Sequence, residues 1–273
     1  MRSKAIRSLL IITLILFCYN SGLNSQKGEF KFIQVTDPQF GMISNNKNVE
    51  GEIALYQKAI DKINRIKPAF VILTGDLVND KDNSIQWEEF RKLTARINKG
   101  IKVYYSPGNH DIGPDPKKED IVKFSSMFGS DRFSFTYKKC RFIGINSCLI
   151  KSLTRELEAQ QFEWLRNELK KGEKARETLI FTHYPLFMKD PAEAENYSNI
   201  KPDTRKKYLD LFSESGVDAV FSGHLHNNAG GRYGETEYVT TSAVGKPLGQ
   251  APSGIRVITI DNDGIKHEYV PLD

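Results

Sequence analysis

The fold of this chain is indicated first by the sequence FVILTGDLVN, residues 70–79. Its first four residues are apolar, and several are β-branched or aromatic, which is typical of a buried strand. Gly75 and Asp76 follow, so a carboxylate stands just beyond the carboxyl end of the predicted strand. In open α/β sheets, ligands bind outside the carboxyl ends of the strands, where loops converge on a rigid edge. The sequence therefore predicts an α/β sheet with a candidate site at its edge.

Short apolar runs alternate with amphipathic segments over most of the chain. Further buried strands are predicted at residues 30–35, 101–105, 142–145, 179–181 and 217–221. Helical spacing of apolar residues predicts helices at residues 53–66, 87–97, 157–169 and 208–212. This order is typical of an α/β domain, and three consecutive strands are then predicted at residues 236–241, 255–260 and 265–270. Because the sequence contains no repeat or linker, we expect one domain over residues 27–273.

The amino-terminal segment is predicted to be an export signal. Arg2, Lys4 and Arg7 precede an apolar run at residues 9–19, and small or polar residues follow at 20–25. The run is too short to span a bilayer comfortably, which favours a cleaved signal peptide, residues 1–25, over a membrane anchor. We therefore expect an exported protein: secreted, periplasmic or in the lumen of the secretory pathway. Lipid modification of Cys18 is the alternative, although the bulky Phe17 precedes it.

Composition and charge describe a globular protein without an obvious affinity for nucleic acid. Of the 273 residues, 39% are hydrophobic and 11% aromatic, which is enough for a full-sized core. The formal net charge is +5, and without the three basic residues of the predicted signal it is +2. The sequence contains no arginine-rich arm. We expect no specific nucleic acid partner and, after signal cleavage, no stable membrane span.

Four of the five histidines lie in three short motifs: GNHD at 108–111, THYP at 182–185 and GHLH at 223–226. Carboxylate and amide oxygens are supplied upstream by DPQ at 37–39 and GDLVN at 75–79. Each of these five segments follows a predicted strand, so five loops deliver polar groups to one edge. Alone, each motif is a weak signal, because Asn109 could cap a helix and His183 could be an ordinary loop histidine. Together they predict a metal site.

Taken in this order, the motifs resemble those of the calcineurin-like metallophosphoesterase superfamily, from Phe32 to beyond His226. The opening TDPQFG, residues 36–41, is similar to the calcineurin-like phosphoesterase domain-containing protein subgroup, some of whose members act as serine/threonine phosphatases. The resemblance implies a four-layer sandwich of two mixed β-sheets flanked by α-helices. It also implies two divalent metal cations at the strand ends, with Mn, Mg, Fe and Zn as the candidates.

The resemblance also implies a role for each motif residue. The first metal would be held by Asp37, Gln39, Asp76 and His226. The second metal would be held by Asp76, Asn109, His183 and His224. Asp76 would bridge the two metals, and His110 would be the catalytic acid. Asp111 is a second catalytic candidate from the sequence itself, as a carboxylate next to His110 that either supports its charged form or caps the loop.

Three departures from the common pattern bear on this assignment. Many superfamily members have histidine where Gln39 stands, and an amide oxygen favours either Mg or Mn in the first site or partial occupancy of that site. Asn79 stands where related phosphatases have a carboxylate, so it can orient His110 but cannot stabilise its charged form. Asp80 and Lys81 replace the arginine that follows this motif in calcineurin itself.

The predicted function is hydrolysis of phosphate esters by a hydroxide that bridges two divalent metals. A phosphomonoesterase is favoured, with phosphoserine or phosphothreonine protein, or a small phosphorylated molecule, as substrate. A phosphodiesterase, a nucleotide phosphatase and a non-catalytic metal-bound module that binds a partner remain as alternatives. Residues 189–202 follow His183 and form either a rim of the site or a solvated surface loop.

Overall fold

The computed structural model describes residues 28–152 and 154–273. The predicted export signal and Cys18 lie outside the described residues. The strands are β1 (Phe30–Val35), β2 (Phe70–Thr74), β3 (Lys102–Ser106), β4 (Phe133–Tyr137), β5 (Cys140–Gly144), β6 (Thr178–Phe181), β7 (Ala219–Ser222), β8 (Ala229–Tyr233), β9 (Thr236–Thr240), β10 (Gly254–Asp261) and β11 (Gly264–Pro271). The helices are α1 (Glu50–Ile66), α2 (Ser84–Thr94), α3 (Asn109–Ile112), α4 (Lys118–Phe128), α5 (Ser147–Lys151), α6 (Arg155–Lys171) and α7 (Pro202–Glu214). None of these described helices is long and apolar enough to cross a membrane.

The strands form two mixed sheets. The first has the order β11-β10-β1-β2-β3. In it β1, β2 and β3 run parallel, β10 is antiparallel to β1, and β11 is antiparallel to β10. The second has the order β4-β5-β6-β7-β9-β8, in which β5, β6, β7 and β9 run parallel between two antiparallel edge strands. Most parallel neighbours are joined through a helix that returns the chain to the start of the next strand. Because these strands run in the same direction, their carboxyl ends lie together at one edge of each sheet.

Aromatic rings fill the space between the two sheets. Phe32 of β1 contacts Phe142 of β5 and Phe181 of β6, with ring centroids 5.3 and 5.9 Å apart in edge-to-face geometry. Phe70 of β2 lies 5.0 Å from Phe142. Such pairs contribute about 0.5–1.5 kcal/mol each beyond the burial of their surface. This packing fixes the strand ends of one sheet relative to those of the other.

Helices cover the outer faces of the sheets. Ile33 and Val35 alternate with the inward-facing Phe32 along β1, and they pack in one core cluster with Ile60 of α1. The buried residues of α1 recur at helical spacing, which places its apolar stripe on the first sheet. Leu165 of α6 is buried in the same cluster. The predicted four-layer sandwich is confirmed.

Several elements differ from those predicted by the sequence. β4, β8 and α4 are not predicted, and α7 is longer than residues 208–212 because Pro202 occupies its first turn. β8 contains consecutive glycines, which are typical of a turn. A side chain on Gly230 would overlap the backbone carbonyl of Tyr238 in the neighbouring β9, so glycine permits the close pairing of these two strands. β4 is an edge strand and only partly buried, which weakens its sequence signal.

Candidate metal centre

Loops that follow β1, β2, β3, β6 and β7 bring their polar side chains together at one edge of the two sheets. Two groups of buried side chains could each hold a metal ion: Asp37, Asp76 and His226 in one, and Asp76, His183 and His224 in the other. Within each group, the ligand atoms all lie within 4.8 Å of one another. The sequence predicts two further ligands, Gln39 and Asn109, which are also buried. We call the two sets, each with its amide, the first and the second half-site.

The second half-site consists of Asp76, Asn109, His183 and His224. Nε2 of His183 lies 3.1 Å from Oδ1 of Asn109 and 3.1 Å from Nδ1 of His224. The same nitrogen lies 3.3 Å from Oδ2 of Asp76. On the other side of the ring, Nδ1 of His183 lies 2.9 Å from the backbone carbonyl of Thr74, which fixes the orientation of the ring. Four potential ligand atoms therefore face one point.

The charges in the second half-site favour a bound cation. Burial lowers the pKa of His183, but the charge of Asp76 outweighs it and raises this pKa to about 9. Burial and the charge of His183 lower the pKa of His224 to about 3, so that ring is neutral. Nε2 of His224 is buried and has no hydrogen-bond partner among the described residues. An ionised carboxylate and the neutral donor atoms of Asn109 and His224 therefore face one point, which suits a metal ion.

The first half-site consists of Asp37, Gln39, Asp76 and His226. Nε2 of His226 lies 3.5 Å from Oδ1 of Asp37, while its Nδ1 lies 2.6 Å from the backbone carbonyl of Lys246. The amide nitrogen of Gln39 donates to Oδ1 of Asn79 at 3.1 Å. Its oxygen, Oε1, is buried and has no partner among the described residues. A buried carbonyl oxygen without a donor is costly, and a cation would satisfy it, so this atom fits the role of a metal ligand.

Asp76 belongs to both half-sites. It is 1% exposed, and its Oδ1 accepts the backbone N–H of His110 at 2.8 Å. Burial raises the pKa of Asp76, but the charge of His183 and its hydrogen bond lower this pKa well below the ordinary value. Gly108 packs so closely against the carboxylate that a side chain there would overlap it. A bridging ligand has to be ionised and fixed in place, and Asp76 is both.

Five residues of the two half-sites have a left-handed backbone: Asp37, Gln39, Asp76, His224 and His226, with φ between 38° and 70°. Residues other than glycine are uncommon there, at a cost of about 1–3 kcal/mol each, and they cluster at functional sites. The two imidazoles of GHLH would point to opposite faces of an extended segment. The left-handed torsions turn this segment, so that both rings reach the same edge.

His110 is the second residue of helix α3 and lies beside the shared carboxylate. Its Nδ1 lies 2.8 Å from the backbone carbonyl of Asn79. The sequence predicts that the side chain of Asn79 orients this ring, whereas the main chain of Asn79 makes the contact. The Asn79 amide instead accepts from Gln39 and donates to Oδ1 of Asn46 at 2.7 Å. Because the carbonyl fixes Nδ1, Nε2 is the atom of His110 that is left to meet a substrate.

Asp111, the second catalytic candidate, binds the backbone of neighbouring loops. One carboxylate oxygen accepts the N–H groups of Leu77 at 2.8 Å and Val78 at 3.2 Å. The other oxygen accepts the N–H of Gly108 at 2.8 Å. Burial and the charge of Asp76 raise the pKa of Asp111 to about 8, against the lowering effect of these backbone bonds. The contacts tie the loops after β2 and β3 together, which is a positioning role.

Sequence reasoning missed Tyr197. The ring of His224 lies 4.1 Å from the ring of Tyr184, which is buried and belongs to the THYP motif. It also lies 5.2 Å from the ring of Tyr197, which is 67% exposed and belongs to the loop between β6 and α7. The sequence offers one signal for this residue, its position within residues 189–202. This loop therefore reaches the rim of the site.

Two mixed sheets with two overlapping metal-binding groups at their strand ends define a metal-dependent phosphoesterase that uses two divalent cations. The chain belongs to the calcineurin-like phosphoesterase family, whose model matches residues 30–228. The resemblance predicted from the motifs is therefore confirmed, as is the prediction of an enzyme of this class.

Relatives of similar length carry the name of a phosphatase. The chain is 36% identical over 266 residues to the serine/threonine-protein phosphatase CPPED1 of Bos taurus, covering 90% of this chain and 85% of that protein. It is 34% identical over 267 residues to the protein of the same name from Homo sapiens, with the same two shares of 90% and 85%. The similarity therefore extends beyond the segment that the family model matches.

Solved structures share the fold. A dimetal phosphatase from Danio rerio matches with a TM-score of 0.64 at 15% identity, covering 89% of this chain and 96% of that one. A purple acid phosphatase from the seeds of yellow lupin, Lupinus luteus, matches with a TM-score of 0.67 at 16% identity, covering 89% and 52%. At these identities the likeness shows the fold alone.

Proposed function

We propose that the chain is a phosphomonoesterase that removes phosphate from phosphoserine and phosphothreonine in proteins. The proposal is carried by the two overlapping donor groups that share Asp76, because a pair of metals stabilises the attacking and leaving oxygens in hydrolysis of a charged phosphate ester. The substrate class is supported by the relatives named serine/threonine-protein phosphatase, which are similar over 90% of the chain.

We infer further that the cations are held by the two half-sites as the motifs imply. The first cation would lie among Asp37, Gln39, Asp76 and His226, and the second among Asp76, Asn109, His183 and His224. Oε1 of Gln39, which has no hydrogen-bond partner in residues 28–152 and 154–273, supports the first assignment. The carbonyls of Thr74 and Lys246 support both, because each faces Nδ1 of a histidine and leaves Nε2 for a ligand bond.

When bound, two divalent cations offset the negative charge of the phosphoryl oxygens and make water a competent nucleophile at neutral pH. Protein groups then have to orient the ester and receive or supply protons. His110 is suited to this task, since its Nδ1–H is donated to the carbonyl of Asn79 and its Nε2 is directed elsewhere. With a proton on Nε2, the ring either hydrogen-bonds a phosphoryl oxygen or transfers that proton to the departing alkoxide of the serine or threonine, which leaves the imidazole neutral.

The test is hydrolysis by the purified chain after chelation and readdition of Mn or Mg. The substrates are para-nitrophenyl phosphate, its bis ester, a nucleoside monophosphate and a phosphoserine peptide. We expect metal-dependent release of phosphate from the peptide and from the monoester, and little turnover of the bis ester. Preference for the bis ester or the nucleotide would replace the proposed substrate class, and no turnover of any ester with any metal would leave only the binding-module alternative.

We also propose that the protein is exported. The support is the sequence alone, in which three basic residues precede the apolar run at residues 9–19. Expression of the full chain followed by amino-terminal sequencing of the mature product tests this. A product that keeps residues 1–25 inside the cell would overturn it.

A further inference from the structure

The loop between β6 and α7 comprises residues 182–201, and a buried arginine binds its second half. Arg205 of α7 is 1% exposed. Its guanidinium donates to the carbonyls of Pro191 at 2.8 Å, Glu193 at 2.6 Å and Ile200 at 2.7 Å. An arginine fork that satisfies carbonyls at both ends of a loop fixes the distance between those ends.

The middle of the same loop is fixed by two further charged side chains. The carboxylate of Glu193 accepts the N–H of Met188 at 2.8 Å and the side-chain amide of Asn199 at 2.7 Å. Lys151 of α5 donates to the carbonyls of Asn196 and Asn199, both at 2.7 Å. Tyr197 stands between these two anchored carbonyls. The loop is therefore a rigid support for Tyr197 rather than a freely solvated segment.

This support presents an aromatic ring to solvent at the edge of the second half-site. Tyr197 is 67% exposed, although its ring lies 5.2 Å from that of His224. A large aromatic surface left exposed beside a buried charged centre is suited to contact with a ligand.

We propose that Tyr197 is a specificity-determining residue, whose ring packs against the peptide chain next to the phosphorylated serine or threonine. The inference rests on the function proposed above and names a substrate contact for the same site. A peptide offers planar amides and aliphatic carbons to an aromatic face, whereas free phosphoserine offers little beyond its phosphate and charged groups. Tyr197 therefore adds affinity for phosphopeptide without taking part in the chemical step.

The test compares Tyr197→Ala and Tyr197→Phe with the wild type on a phosphoserine peptide and on free phosphoserine. For Tyr197→Ala, we expect KM for the peptide to rise about tenfold with kcat nearly unchanged, while kcat/KM for free phosphoserine stays within about twofold. Tyr197→Phe keeps the ring and should retain most of the peptide affinity. Ile85→Ala removes an apolar side chain of similar exposure, 63%, on α2 and should change neither substrate.

Two outcomes would overturn the inference alone, given a wild type that hydrolyses the peptide. One is equal kinetics of Tyr197→Ala and wild type on both substrates. The other is an equal loss of kcat on both substrates together with weaker metal binding in calorimetry. That result would show that Tyr197 positions His224 and does not contact the peptide. A wild type that neither hydrolyses the phosphopeptide nor binds its phosphonate analogue would overturn the proposed function, and the inference with it.

Discussion

The two half-sites share Asp76, yet they offer different atoms to a cation. In the first, three of the four donors are oxygens, from Asp37, Gln39 and Asp76, whereas in the second His183 and His224 supply two imidazole nitrogens. Oxygen donors suit Mg²⁺ and Mn²⁺, while imidazole suits Zn²⁺ and iron. We therefore predict that the two half-sites, although they share one carboxylate, differ in metal preference.

The half-sites also differ in how closely their donors are assembled. In the second, Nε2 of His183 lies 3.1 Å from donor atoms of both Asn109 and His224. In the first, the contact from His226 to Asp37 is 3.5 Å, and the oxygen of Gln39 has no partner among the described residues. We therefore expect the second half-site to bind its cation more tightly than the first, because less rearrangement is needed.

Substitution of the shared residue, Asp76→Ala, should abolish metal binding in both half-sites and so remove the difference between them. Both cations lose a shared ligand and its negative charge. Because the two metals act together, this one substitution removes the contribution of both to catalysis. We expect activity to fall by about 10⁵-fold or more. Metal content, measured by mass spectrometry after gel filtration, should fall in both half-sites.

The matched control is Asp131→Ala, which removes another buried carboxylate that lies outside both metal-binding groups. This variant should keep its metals even if it is less stable. An Asp76→Ala variant with full metal content and normal turnover would refute the two-metal assignment.

His110→Gln should separate chemistry from metal binding, because His110 belongs to neither half-site. Loss of a general acid typically costs about 10²–10⁴-fold in rate, and we expect kcat to fall within that range. Metal content and the metal preference of each half-site should be unchanged. His267→Gln, which alters the one histidine outside the three motifs, is the control and should retain normal kcat. Loss of metals in the His110 variant would make this residue part of the binding site rather than the chemistry.

The sequence predicts that the candidate ligands lie close together because each follows a strand by only a few residues. Asp37 and Asp76 come two residues after β1 and β2, so local order fixes their position. The orientation of His110 is harder to predict, because a main-chain carbonyl of Asn79 makes the contact, and any residue there would carry one. The position of Tyr197 at the rim of the site is harder still to predict from the sequence. Its loop is shaped by Lys151, which is distant in sequence and belongs to another helix.

Gln39→His should have the smallest effect and should make the two half-sites more alike. An imidazole in place of the amide gives the first half-site two nitrogen donors, as in the second. We expect its affinity for Zn²⁺ relative to Mg²⁺ to rise about tenfold, with turnover changed only a fewfold. Titration of the chelated protein with each metal, followed by activity and by calorimetry, measures this shift.

The geometry around Gln39 is compatible with that change. Its φ of 38° lies in the left-handed region, which histidine adopts more readily than most side chains. The side-chain oxygen of Asn79, which now accepts from the Gln39 amide, can accept a ring N–H instead and leave the other ring nitrogen for the metal. Gln160→His, an exposed position on α6, controls for an added histidine and should leave the preference unchanged. If Gln39→His also leaves the Zn²⁺ to Mg²⁺ ratio unchanged, Gln39 is not a ligand, and the asymmetry between the half-sites must come from Asp37 instead, since Asp76 is common to both.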